Sequence, residues 1–267
     1  MTQKLTNFKR GTLVNPGYKP RVLDARISED LEDFGAVCIE GPKYCGKTWT
    51  GRSLCNSEIC LLDSEGAFQS RELARLSPIQ ALQGARPRLI DEWQEVPSLW
   101  DAVRNAVDRS GKQDTFVLTG SAVPRKEKPR HSGVGRIEKI RMRPMTLYES
   151  DASSGTVSLS ALFDGTAEPV ALEDLCDFVL RGGWPAVQET ELRRASRLAR
   201  SYVRQISEDD LSRIDGVSRD PQKVGRLLHS LARNAEQASA TKTLVRDMTA
   251  DASGDTLSKE TVEDYLQ

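Results

Sequence analysis

The pattern of apolar and polar positions changes character partway along the chain. In the first 150 residues, short apolar runs alternate with longer stretches of helical period. The runs are Ala36–Ile39, Ile59–Asp63, Arg88–Asp91, Thr115–Thr119 and Ile137–Met142. Between two of them, Ser98–Val107 sets Leu99, Val103, Ala106 and Val107 on one helical face, with Pro97-Ser98 at its entrance. Runs that are short and apolar throughout predict strands buried on both faces, hence a parallel sheet covered by helices. In such sheets ligands bind beyond the carboxyl ends of the strands.

After residue 150 the helical period takes over. Leu172–Leu180 is apolar-periodic, and Gly182-Gly-Trp-Pro185 ends it sharply. Glu189–Ile206 carries an apolar stripe of Leu192, Ala195, Ala199, Tyr202 and Ile206 beside a basic stripe of Arg193, Arg197, Arg200 and Arg204. Three shorter helices follow, Val224–Leu231, Thr243–Met248 and Lys259–Leu266, the last capped by Ser258. Their order is that of a helix-turn-helix. However, Lys259 stands against Glu260, Glu263 and Asp264, a poor match for DNA phosphates. Protein packing is the preferred role for this end, and nucleic acid the weaker one. Residues 1–150 are therefore expected to form the α/β domain, with 1–30 as an N-terminal extension. Residues 151–267 form a mostly helical domain with a helix-turn-helix-like end.

Composition narrows the classes. Lys and Arg number 38 and Asp and Glu 39 in 267 residues, a net charge of −1 that gives no global pull toward nucleic acid or membrane. No apolar run reaches spanning length, and Met1–Arg10 lacks a signal-type apolar core. The cysteines Cys38, Cys45, Cys55, Cys60 and Cys176 form no C-x-x-C pair, and Cys38 and Cys60 read as small core residues. A cytoplasmic protein with no membrane partner is expected.

The chemistry concentrates in Gly41-Pro-Lys-Tyr-Cys-Gly-Lys-Thr48, which fits G-x-x-x-x-G-K-[ST]. Gly41 and Gly46 allow a tight turn. Past Pro42, which has no N–H of its own, the backbone N–H groups of Lys43, Tyr44, Cys45 and Gly46 can then face a polyphosphate, and a helix starting near Lys47 adds its positive end. Lys47 suits the β- and γ-phosphates, and the Thr48 hydroxyl suits Mg²⁺. Gly51 weakens the helix that follows. Arg88-Leu-Ile-Asp-Glu92 reads as a strand ending in two carboxylates: Asp91 for the metal's water shell and Glu92 to orient or deprotonate water. Phe116-Val-Leu-Thr-Gly-Ser-Ala122 brings Thr119 and Ser121 to the same edge as candidate phosphate or water contacts. Arg136 follows the flexible Ser132-Gly-Val-Gly135 and is expected close to that ligand edge, a candidate to neutralise charge on a transferring phosphoryl group.

Taken in order, these segments resemble the prokaryotic AAA-superfamily ATPases that join an N-terminal P-loop module to a C-terminal domain of unknown function. The resemblance rests on Gly41–Thr48, Leu89–Pro97 with Trp100, Phe116–Ser121, Ser132–Arg136, Arg143-Pro-Met-Thr-Leu-Tyr-Glu149 and Leu180-Arg-Gly-Gly-Trp-Pro185. It implies Mg²⁺-dependent ATP hydrolysis, a five-stranded AAA-type sheet and a helical C-terminal domain, without naming a substrate. The sequence departs from the family pattern at Cys45, where a small or branched residue is usual, and at Trp49, where a second Thr is usual. Neither removes a phosphate ligand. Related proteins typically run further, so the helical domain is expected to be incomplete, truncated at its carboxyl end.

The leading expectation is an ATP-hydrolysing motor or switch acting on an unidentified protein or DNA partner, with self-assembly if Arg136 acts on a neighbouring subunit. Two alternatives stand beside it: a P-loop small-molecule kinase, and a truncated nucleotide-binding module without turnover. The adjacency of Asp91 and Glu92 favours water as acceptor over a kinase substrate. Absence of an N-K-x-D guanine signature favours ATP over GTP.

Overall fold

The computed structural model describes residues 10–62, 66–111, 115–120, 132–157, 159–162, 169–210, 219–250 and 258–266. The protein divides into two compact units, 1–195 and 196–267.

The first unit is built on β1 (Ala36–Glu40), β2 (Ser57–Cys60), β3 (Arg88–Asp91), β4 (Phe116–Gly120) and β5 (Ile137–Arg141). These form one sheet in the order β2-β3-β4-β1-β5, with every pairing parallel. The strands expected from the apolar runs are all present, within a few residues at each end. Asp63, the expected end of the second run, lies outside the described residues.

Alternation along the strands serves two cores. Ala36 and Cys38 of β1, with Ile90, Phe116 and Leu118, pack on one face. There they meet Leu99, Trp100, Val103 and Val107 of α5 (Ser98–Ser110). Val37 and Ile39 of β1, with Leu89 and Val117, pack on the other. This second face is covered by Ile27 and Leu31 of α1 (Leu23–Phe34) and Leu54 of α2 (Lys47–Leu54). Each such buried Leu, Ile or Val contributes roughly 1.5–3 kcal/mol relative to exposure. α3 (Ala67–Leu76) and the single turn α4 (Pro78–Ala81) complete the first face through Ala74 and Ala81.

Gly51 is where α2 comes down on the sheet. A Cβ there would lie 2.7 Å from Leu89 Cδ1 and 3.5 Å from Thr119 Cγ2. The residue that weakens the helix locally is thus the one that lets it approach β3 and β4, and tertiary packing overrides propensity. Cys38 is fully buried as expected. Cys60 is only half-buried, beside the Arg52–Glu58 ion pair.

Beyond β5 the helices α6 (Leu172–Arg181) and α7 (Leu192–Gln205) follow. The second unit holds α8 (Pro221–Arg233), α9 (Thr241–Ala250) and α10 (Lys259–Leu266), whose Leu227, Leu244, Met248 and Val262 make a small core. Asp220 caps α8, accepting from Gln222 N–H at 2.9 Å, and Ser258 accepts from Thr261 N–H at 3.2 Å at the head of α10. No helix among the described residues is long and apolar enough to cross a membrane.

Candidate functional site

The expected site residues of the 41–48 loop, with Asp91, Glu92 and Thr119, gather where β1, β3 and β4 end. The register sets Ile39 beside Thr119 and Thr119 beside Asp91. The loop after Glu40 opens into α2, whose first residue is Lys47. Gly46 caps that helix at φ 105°, a left-handed conformation that favours glycine. Tyr44 is also left-handed, at φ 64°.

Cations and hydroxyls fix this loop. The Lys47 ammonium, almost wholly buried, donates to the Gly41 and Pro42 carbonyls, each at 3.0 Å. The Thr48 hydroxyl donates to Asp91 Oδ1 at 2.9 Å. The Thr119 hydroxyl donates to the same oxygen, and it accepts from the Glu92 backbone N–H at 3.2 Å. Glu92 itself is left-handed at φ 58°, and its carboxylate accepts from the Gln94 side-chain amide. Thr119 is fully buried, so its hydroxyl orients the two carboxylate residues instead of facing a ligand.

A cavity of about 930 Å³ opens over the loop. Lys43, Tyr44, Gly46, Lys47, Thr48, Trp49 and Glu92 line it. Cys45 points inward and joins the apolar core, where burial raises its thiol pKa and leaves it a poor nucleophile. Ser121 lies outside the described residues.

Arg136 stands elsewhere, and its expected place at the ligand edge is corrected. β5 runs parallel to β1 with Ile137 opposite Ala36, and the Arg136 carbonyl accepts from Ala36 N–H at 3.1 Å. Arg136 therefore sits at the amino end of the sheet, a strand length, or roughly 13 Å, from the loop. Its guanidinium is paired with Asp108 at 2.7 Å on the exposed surface. Position next to a strand in sequence does not reveal which end of the sheet a residue occupies; strand direction does.

Other residues at the cavity went unread in the sequence. Tyr18 and Arg21 come from the N-terminal segment, Leu62 follows β2, Met145 follows β5, and Pro185 and Glu189 follow α6. Lys19 and Glu189, both at the cavity, form a 2.7 Å ion pair. Tyr18 donates to Asp24 Oδ1 at 2.7 Å and lies 3.1 Å from the Thr50 hydroxyl on α2. Burial, then the neighbouring Asp24 charge, pushes the Tyr18 phenol upward. Burial likewise lifts the Asp24 carboxyl to about 6, against hydrogen bonds from Arg21 N–H and Tyr18. Met145 and Pro185 belong to two of the segments that carry the family resemblance; those segments were the available signal, with no role attached.

Comparison with known proteins bears on this arrangement. Residues 33–150 match the family model described as an AAA domain. Within the first unit, that stretch is similar to AAA domains. Its parallel sheet and terminal loop are those of a P-loop nucleotide-binding fold. Residues 172–267 match a domain of unknown function, DUF8612. An uncharacterized protein of Mycobacterium bovis and one of Mycobacterium tuberculosis are each 31% identical to this protein over 133 residues, 49% of its length. That match spans only 30% of the length of those relatives. A Walker-type ATPase of Pyrococcus abyssi is similar in fold at 14% identity. The likeness covers 96% of this protein and 90% of that one, with a TM-score of 0.53.

The donor set at this loop fits a magnesium nucleotide on its own chemistry. Thr48 and Asp91 offer a hard, all-oxygen pair of the kind Mg²⁺ accepts alongside water and phosphate. The cavity has the volume of a small-molecule site, with the apolar faces of Trp49, Leu62 and Pro185 available to a base.

Proposed function

We propose that the protein binds Mg·ATP at the 41–48 loop and hydrolyses it, acting as a motor or switch on a protein or DNA partner. The observation that carries this reading is the Thr48–Asp91–Thr119 hydrogen-bond cluster beside Lys47 at the mouth of the cavity. In this reading the loop amides and Lys47 hold the β- and γ-phosphates. Lys47 exchanges its bonds to the Gly41 and Pro42 carbonyls for phosphate oxygens. Thr48 and Asp91 would hold the magnesium ion, which supplies charge neutralisation between the phosphates.

Glu92 accepts a proton from the water that attacks the γ-phosphorus. The bond to the β–γ bridging oxygen breaks, and ADP leaves with that electron pair. Thr119 holds Asp91 and the Glu92 backbone in register for these tasks. Arg136 is too far from its own loop to take part there. A role for Arg136 in hydrolysis would require a neighbouring subunit's loop, so that role carries self-assembly with it.

The test is phosphate release from Mg·ATP by the full-length protein, alone and with single-stranded DNA, double-stranded DNA or co-purified protein. Release above background that disappears in Lys47→Ala is expected. No Mg·ATP binding by calorimetry, or equal release from wild type and Lys47→Ala, overturns the reading.

A further inference from the structure

The N-terminal segment delivers one arginine against the 41–48 loop, at the edge of the cavity. Arg21 is almost fully buried, and so is its partner Glu149. Arg21 Nε donates to Glu149 Oε1 at 3.0 Å and Nη2 to Oε2 at 3.4 Å. The rest of the fork is spent on backbone. Nη1 donates to the Cys45 carbonyl at 2.7 Å, and Nη2 to the Arg143 carbonyl at 2.8 Å. Glu149 is satisfied in turn. Its Oε1 accepts from Val22 N–H at 2.7 Å, and its Oε2 accepts from the Thr146 N–H and hydroxyl at 2.8 and 3.1 Å. Only the planar guanidinium can serve a carboxylate and two separate carbonyls at once; an ammonium cannot span them.

The carbonyl it holds matters. A phosphate-binding loop works because its N–H groups face inward, and any carbonyl turned inward opposes an anion. Lys47 takes the Gly41 and Pro42 carbonyls. Arg21 takes the Cys45 carbonyl, next to left-handed Gly46, where its Nη1 stands 3.3 Å from the position of a Gly46 Cβ. Glu149 fixes Arg21, and it closes the 143–149 segment that leads out of β5.

We propose that Arg21 and Glu149 are positioning residues for phosphate binding: the pair turns the Cys45 carbonyl away from the ligand and ties the P-loop conformation to the segment leaving the sheet. This rests on the nucleotide reading above, and it assigns a task to two residues outside the Walker motifs.

The experiment uses the full-length protein with Arg21→Gln, Arg21→Lys and the double variant Arg21→Gln with Glu149→Gln. Hydrogen exchange of nucleotide-free protein is read first. Arg21→Gln should speed exchange of the amides from Lys43 to Thr48 by about tenfold or more, with β3 and β4 amides unchanged. Mg·ATP affinity should fall by about tenfold or more in Arg21→Gln, and by less in Arg21→Lys, which keeps one charged contact. The double variant should bind no more weakly than Arg21→Gln alone, because the two side chains act through one another. Wild-type exchange and affinity in folded Arg21→Gln overturn the proposal. So does faster exchange spread evenly over the sheet, which would mark a general brace. If Arg21→Gln fails to fold, Arg21→Lys carries the same exchange comparison. Failure of wild-type protein to bind Mg·ATP removes the ATP reading, while the exchange measurement, made without nucleotide, still decides the role of the pair at the loop.

Discussion

The Thr48 hydroxyl, in the first turn of the helix that follows β1, meets the Asp91 carboxylate at the end of β3 at 2.9 Å, although β4 lies between those two strands. Thr119 at the end of that middle strand closes the gap by bonding the same Asp91 oxygen. Three segments far apart in sequence thus converge on one carboxylate, and the contribution of each neighbouring group can be removed separately.

Lys47→Ala removes the cation that would meet the β- and γ-phosphates and frees the Gly41 and Pro42 carbonyls. Mg·ATP affinity should drop at least about tenfold, or about 1.4 kcal/mol. Calorimetry on a variant with wild-type circular dichroism checks this, and unchanged affinity rules out the P-loop assignment.

Glu92→Gln keeps the shape of the side chain and loses the base. Nucleotide binding should persist while turnover falls by about a hundredfold or more. Steady-state phosphate release beside an equilibrium binding measurement separates the two effects. A variant that turns over at the wild-type rate removes Glu92 from the mechanism.

Arg136→Ala breaks the surface pair with Asp108 and leaves the protein's own loop untouched. If Arg136 serves a neighbour, the variant should bind Mg·ATP normally and hydrolyse poorly. Mixing it with Glu92→Gln should then restore part of the activity, because some interfaces would carry both intact groups. No recovery in an assembly confirmed by light scattering sinks the role in trans.

Stability should respond to pH through two buried carboxylates of opposite sign. Asp24 titrates at about 6 in the fold, above its ordinary 3.8. A raised acid stabilises the fold fully below its unfolded value, and that contribution is lost as pH rises through about 6. The difference is on the order of 3 kcal/mol. For Glu149, burial raises the pKa, but hydrogen bonds from Thr146 N–H, Arg21 and Val22 N–H outweigh it and hold the carboxyl below its ordinary range. Its contribution is present above the unfolded value and lost as pH falls. Urea denaturation should therefore show stability increasing as pH falls from 7 to 5, a gain that Glu149 opposes only below its ordinary 4.5. Asp24→Asn should flatten the limb between pH 7 and 5; an unchanged slope there would exclude Asp24 as its source.

The sheet was legible because β1, β3 and β4 are apolar on both faces, and Ala36–Ile39 or Phe116–Leu118 suits little else. The placement of the 41–48 loop and of Asp91–Glu92 at strand ends was legible because each is a short contiguous segment after an apolar run. α1 was not. Its burial rests on Ile27, Leu31 and the hydrogen-bonded Asp24 among charged neighbours, too narrow a stripe to stand out. The Arg21–Glu149 pair was invisible for another reason: its partners are 128 residues apart, and no periodicity reports a contact at that separation. Thr119 was read as a ligand contact at this edge; in the fold it is buried, with its hydroxyl bonded to Asp91 and the Glu92 N–H.

The strand order has a consequence for the polypeptide as it is being made. β1, which carries the P-loop, pairs only with β4 and β5, and both come after residue 115. A ribosome-bound nascent chain that has not yet extruded Phe116 holds β2 and β3 able to pair with each other, while β1 has no strand to lie against. The cavity over the 41–48 loop therefore cannot assemble as that loop emerges. It waits for the middle strand to slot between two earlier ones, which makes formation of the site a late, long-range event in the birth of the molecule.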